Sequence, residues 1–210
     1  MTKARAVRFL PITLASVLFL SACDQTTEPG SAAVASEDVQ QQFIANITAH
    51  CGKAFEGEVV SDDTDDSVWQ QRLVMHIRDC AVDEVKIPLH VGEDRSRTWV
   101  ISETDTGLQL QHIHLHEDGT PDATSPYGGH TNEPGTANQQ AFPVDEASKT
   151  IFAANNLIAS QQNTWTITFI DDNTFSYQLS RPGRLFEVHF DLTKPVDVPP
   201  PAWGYEPDAQ

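Results

Sequence analysis

Apolar and polar positions change their period once along the chain, and the change divides one helix from a run of strands. Val39, Phe43, Ile44 and Ile47 recur at helical spacing. Ser36 precedes Glu37 and Asp38 as an N-cap precedes acids at the positive end of a helix, and Gly52 can supply a left-handed stop. A helix is therefore predicted over residues 37–50, presenting Cys51 to a partner. Beyond it the period is two. Phe55 to Val60 reads as a short strand. Leu73, Met75 and Ile77 alternate with Val74, His76 and Arg78 in a strand ending at Cys80. Val85, Ile87, Leu89 and Val91 make the next strand, where Pro88 argues for an edge or a bulge. Residues 97–103 follow after a turn, and Gly107 opens another strand.

The C-terminal half repeats this pattern. Trp165, Ile167 and Phe169 alternate with threonines, Asp171-Asp172-Asn173 turns the chain, and Phe175, Tyr177 and Leu179 return. Pro182-Gly183 turns it again before Phe186, Val188, Phe190 and Leu192. Three such strands with short turns form an antiparallel meander. Between the halves, residues 117–148 are rich in Gly, Pro, Asn, Thr and Asp. A connection of that length implies a functional loop or disorder. Within it Tyr127-Gly128-Gly129-His130 reads as a plain loop, with a lid over a site as the alternative. Residues 145–159 are a second helix candidate, with Asp145 as cap. The expected fold is mainly β, an antiparallel meander forming a closed or nearly closed barrel or else a sandwich, with an N-terminal helix and one further helix candidate.

The N-terminal segment bears on where the domain resides. Lys3, Arg5 and Arg8 precede an apolar run from Phe9 to Leu20 that is too short to span a bilayer, as in an export signal. Leu20-Ser21-Ala22-Cys23 then resembles the lipobox of bacterial lipoproteins. That resemblance implies cleavage before Cys23, lipidation of its sulfur, and a lasting membrane anchor. Asp24 matches an inner-membrane retention signal of some Gram-negative bacteria, which favours the inner membrane facing the periplasm over the outer membrane. The expected organisation is a lipoprotein signal peptide over 1–22, a flexible tether over 23–36, one β-rich domain over 37–193, and a proline-rich tail over 194–210. An export signal also makes disulfide chemistry available. The two remaining cysteines, Cys51 and Cys80, are expected to pair, stabilising the fold by about 3 to 4 kcal/mol.

The 210 residues carry 13 Lys and Arg against 30 Asp and Glu, a net charge of −17. Removal of residues 1–22 leaves ten basic side chains against thirty acidic ones, or −20. Such a surface repels nucleic acid and anionic headgroups. Cations, neutral ligands and proteins remain as partners.

Candidate chemistry lies in one stretch. His112, His114 and His116 occupy alternate positions of a strand, on one face and about 7 Å apart. Leu108 and Leu110 share their parity, so a regular strand runs from an apolar floor to a polar mouth. A bulge near Gln111 would instead turn the histidines to solvent. His-x-His on a strand is a recurring ligand pair for a transition metal such as zinc, and Glu117, Asp118 and His130 are candidates to complete the shell. Three same-face residues in a line suit a tetrahedral centre poorly. An exposed histidine ladder and direct contact with a small ligand are the other readings. His76, His90 and His189 fall opposite the apolar faces of their strands and are expected at the surface. Glu93-Asp94-Arg95 with Arg97 offers either an anion site or a surface ion-pair cluster. The runs 112–119 and 127–131 resemble stretches of uncharacterised bacterial secreted proteins, which implies no activity. No nucleophile elbow, His-Glu-x-x-His, phosphate loop or dinucleotide fingerprint is present. The sequence therefore supports an envelope-anchored protein binding a metal ion or small ligand through the histidine strand, or a non-catalytic envelope component acting by protein contact.

Overall fold

The structure is a computed structural model describing residues 29–62 and 67–205, with side-chain burial from residue 39 onward. Cys23, Asp24 and the signal segment lie outside the described residues. The first helix, α1, spans Pro29–Thr48. It starts earlier than the pattern predicts, inside the stretch read as tether, so Ser36 lies within it and does not cap it. Pro29 suits a first helical turn, and Ala32, Ala33 and Ala35 have high helix propensity. Gly52 ends the helical region at φ +79°. Among the described residues no helix is long and apolar enough to cross a membrane.

Among the described residues, eleven strands follow in one antiparallel sheet. They are β1 (Ala54–Val59), β2 (Leu73–His76), β3 (Asp79–Cys80), β4 (Glu84–Val91), β5 (Asp94–Thr104), β6 (Gly107–His114), β7 (Tyr127–His130), β8 (Gln139–Pro143), β9 (Thr164–Asp171), β10 (Thr174–Arg181) and β11 (Arg184–Val196). The spatial order is β7-β6-β5-β4-β2-β1-β11-β10-β9-β8, with β3 beside β4 off this path. The two end strands meet at a Gly129–Val144 bridge, which makes the sheet a nearly closed barrel. The β9–β11 meander and the turn at Gly183, with φ +77°, follow the predicted pattern.

Two of its strands fall where a loop is expected. Tyr127-Gly128-Gly129-His130 is strand β7, paired with β6 from Gln109 to His112. Glycine is a poor strand former, yet here it is required. A Cβ on Gly128 would lie 1.8 Å from the Leu110 carbonyl oxygen, and one on Gly129 would lie 2.1 Å from that of Pro143. The second helix, α2 (Glu146–Ala154), finishes the seam. Asp145 caps it by accepting from Ser148 N at 2.7 Å, and Ser148 Oγ accepts from Gly128 N at 2.7 Å. The predicted strand through Cys80 divides into β2 and β3. Pro88, between its Leu89 and Lys86 pairings, faces the interruption, where no ladder donor is needed.

The apolar parities of the strands point inward and make a core containing Phe55, Met75, Ile87, Phe142, Trp165 and Phe190. Helix α1 closes one end of the barrel with Phe43, Ile44 and Ile47, all buried, and Phe43 meets Phe169 edge-on at 6.1 Å. Gln40, also buried, donates to Thr131 Oγ1 at 3.2 Å. The Cys51–Cys80 disulfide, with Cα atoms 6.2 Å apart, ties the helix end to β3. Beyond β11 the chain runs as a proline-rich strap over the outer face. Trp203 N donates to Arg95 O at 3.0 Å, and Arg95 Nη1 donates to Pro201 O at 3.3 Å.

Candidate functional site at the open end of the barrel

Strand β6 is regular, so the parity alternative without a bulge is the one realised. Leu108, Leu110 and His112 are buried in sequence from the α1 end toward the opposite end, and half-buried His114 continues the column. Across the ladder Trp99 faces His112 and Arg97 faces His114.

His112 is only 3% exposed and is packed among rings. It stacks on Tyr127 with centroids 4.9 Å apart at 8°, lies 4.8 Å from Trp165, and meets Tyr177 edge-on at 5.9 Å. Its Nε2 is 2.7 Å from the Tyr177 hydroxyl. Burial, with the neighbouring His114 adding to it, lowers His112 to about 3, while burial raises Tyr177 well above the usual phenol value. A neutral imidazole and a phenol that keeps its proton make Tyr177 the donor and Nε2 the acceptor. The imidazole proton is then on Nδ1, which is buried with no hydrogen-bond partner among the described residues. A backbone group of Tyr127 favours the cation but makes no hydrogen bond of ordinary geometry to this nitrogen. The Tyr177 ring also stacks on Trp99, with centroids 4.2 Å apart.

His114 opens toward the barrel end. Burial, followed by the Arg97 guanidinium, lowers it to about 4, against the opposing pull of Asp122 and Asp94. Its Nε2 is 3.4 Å from the Tyr127 hydroxyl, which burial raises to about 12. Arg97 is gripped by Asp94 and lies 5.5 Å from the ring of Trp69. Trp69 belongs to a short 3-10 turn, Ser67–Gln70, and packs 4.7 Å from Phe186. Its Nε1 is buried without a hydrogen-bond partner among the described residues. The open end thus combines a guanidinium, an indole N–H, a neutral imidazole and a phenol against aromatic walls.

The other predicted ligands are not gathered here. His116, Glu117 and Asp118 are exposed in the turn after β6, where Asp118 Oδ1 accepts from Thr120 N at 2.9 Å and from Thr120 Oγ1 at 2.6 Å. His130 pairs with Gln109 on the outer parity of the wall, 3.2 Å from its amide nitrogen and 3.9 Å from Asp145. Among the described residues no three His, Cys, Asp or Glu side chains converge as a metal site. His112 and His114 each have an aromatic hydroxyl as the nearest polar neighbour of Nε2.

Several surface expectations are corrected by the strap. His90 is 4% exposed, because residues 198–201 cross the outer face over it, and desolvation with the nearby Arg95 lowers it to about 4. His76 is half-buried under the same segment. His189, on the outer parity of β11, is partly exposed and lies 2.7 Å from Glu187. Tyr177, Trp99 and Trp69 were not singled out by the pattern as site residues. A signal was present for Tyr177: a tyrosine on the apolar parity of its strand needs a polar partner, and so does a histidine on the apolar parity of another.

Comparison of the chain with protein-family models, with curated proteins and with solved structures found no match. The fold is a nearly closed antiparallel β-barrel whose end away from α1 gathers these polar groups among aromatic rings.

Proposed function

We propose that the protein is a lipid-anchored envelope component that binds a small polar organic ligand at the open end of its barrel, through His114, Arg97 and Trp69. The observation that carries this reading is Trp69 Nε1, a buried donor without a hydrogen-bond partner, set against the Arg97 guanidinium at the end of an interior column that changes from leucine to histidine. Buried donors without acceptors are costly, so a ligand supplying an acceptor there is stabilised by what the apo protein lacks. A transition-metal site in the histidine row has less support, since Nε2 of His112 already accepts from Tyr177 and His116 points away in an exposed turn. The lipobox and the acidic charge support the envelope location and argue against nucleic acid as a partner. The test is a thermal-shift panel of small carboxylates, phosphates, sugars and the divalent ions of zinc, copper and nickel. An organic compound should raise the melting temperature of the wild type and leave Arg97→Met and His114→Phe unmoved. Stabilisation by a metal alone, lost in the His112, His114 and His116 triple alanine variant, would replace this reading with the metal one.

A further inference from the structure

A cavity of about 710 Å³ lies on the outer face, between the barrel wall and the C-terminal strap. That volume is within the range of small-molecule sites. It is built by tertiary structure. The wall contributes Thr98 and Ile113 from the outer parities of β5 and β6 and Leu115 just past the end of β6, with Arg78 beside β3, and the strap contributes Trp203 and Tyr205. The site is outside the wall whose inner face carries His112 and Arg97, so it is separate from the barrel mouth.

Two of its side chains have donors left over. Arg78 lies over the Tyr205 ring, 3.7 Å from its centroid, and holds Asp79 Oδ2 through Nε at 3.0 Å and Nη2 at 2.7 Å. Its Nη1 is buried and has no hydrogen-bond partner among the described residues. The same is true of Nε1 of Trp203. Guanidinium and indole nitrogens donate only, so neither can be satisfied by a neighbouring donor. The strap that carries Trp203 is fixed at that residue by its backbone bond to Arg95. A Cβ on Gly204, where φ is +69°, would come 2.5 Å from Leu115 Cδ1, so the strap is seated closely on the wall.

We infer that this cavity binds a small monocarboxylate with an apolar body, its carboxylate accepting from Arg78 Nη1 and Trp203 Nε1 and its body resting on Ile113 and Leu115. Planar carboxylate geometry suits a guanidinium edge and an indole N–H, and charge-assisted bonds of this kind are the stronger class. A dianion such as phosphate is disfavoured. Asp79 and Glu84 line the same cavity, and the whole chain carries −17. Arg78 and Lys86 are paired with these same carboxylates, Asp79 and Glu84, so the lining is charge-balanced, and a dianion would bring twice the uncompensated charge of a monoanion.

The experiment is a titration of the intact nitrogen-labelled protein in detergent micelles with phenylacetate, and separately with its neutral isostere phenylacetamide. The indole N–H resonances of Trp203 and Trp69 distinguish the strap cavity from the barrel mouth. The Trp203 resonance should shift saturably with phenylacetate and not with phenylacetamide. Arg78→Met should weaken phenylacetate at least tenfold, and Trp203→Phe, which keeps the wall and removes the donor, by about tenfold. Unperturbed indole resonances of Trp69, Trp99 and Trp165 in each variant report an intact barrel. Equal shifts from acid and amide overturn the inference. So does no Trp203 shift at about 10 mM phenylacetate, a range that reaches weak small-ligand affinities. If Arg78→Met does not fold, calorimetry on Trp203→Phe decides, and unchanged phenylacetate affinity overturns it.

Discussion

Part of this protein's acid sensitivity should come from one buried side chain, His112, and replacing it with phenylalanine should remove that part. In the folded barrel His112 is held at about 3 by burial, with His114 adding to the effect. In an unfolded chain it titrates near the ordinary histidine value of about 6.5. The unfolded state therefore binds one more proton throughout the interval between these values. Stability is level above about pH 6.5 and falls as pH drops toward 3. Between pH 7 and pH 4.5 the linkage integral for one such group, 3% exposed, is on the order of 2 to 3 kcal/mol. His112→Phe carries its own penalty, about 1 to 3 kcal/mol at neutral pH, because the Tyr177 hydroxyl loses its acceptor in a buried position. Wild type is thus the more stable protein at pH 7, and its advantage should shrink by roughly 2 to 3 kcal/mol by pH 4.5. His90, His114 and the carboxylates with lowered values titrate in both proteins, so the difference isolates His112. The assay is urea unfolding followed by tryptophan fluorescence at pH 7, 5.5 and 4.5. Parallel stability curves for wild type and variant would refute the reasoning.

Three other perturbations follow from the same structure. Replacing Cys51 and Cys80 by serine opens a loop of 29 residues of sequence separation and should lower stability by about 3.5 kcal/mol, read as a reduced urea midpoint that matches reduced wild type. Gly128→Ala places a methyl on the Leu110 carbonyl oxygen at the β6–β7 pairing and should destabilise by more than about 2 kcal/mol, with amides of Tyr127 to His130 losing exchange protection first. Truncation after Val196 uncovers His90, and its value should rise from about 4 toward that of an exposed histidine, measured from ring-proton shifts against pH.

What the sequence showed and what it hid divide along the range of the interactions. The β9–β11 meander, the Asp145 cap and the stop at Gly52 depend on neighbours a few residues away, and each is visible in a short window. The phase of the histidine strand was visible as two alternatives, and core packing selected the one that buries His112 beside Leu110. Strand β7 was hidden because its glycines are needed for close backbone approach, a tertiary requirement that runs against local propensity. The burial of His90 was hidden because alternation assigns a residue to a face and cannot say whether a strap from the C-terminus covers that face. The His112–Tyr177 bond joins residues 65 apart in sequence, and only the closure of the barrel brings them together.

The most direct test of a ligand at the barrel mouth is native mass spectrometry of the full-length protein purified from cells in mild detergent. The expected result is an added organic mass, near one per chain, that leaves on unfolding and is missing from Arg97→Met. A chain carrying no added mass would contradict the proposed binding role, and so would one carrying only a transition metal that disappears when His112, His114 and His116 are replaced by alanine.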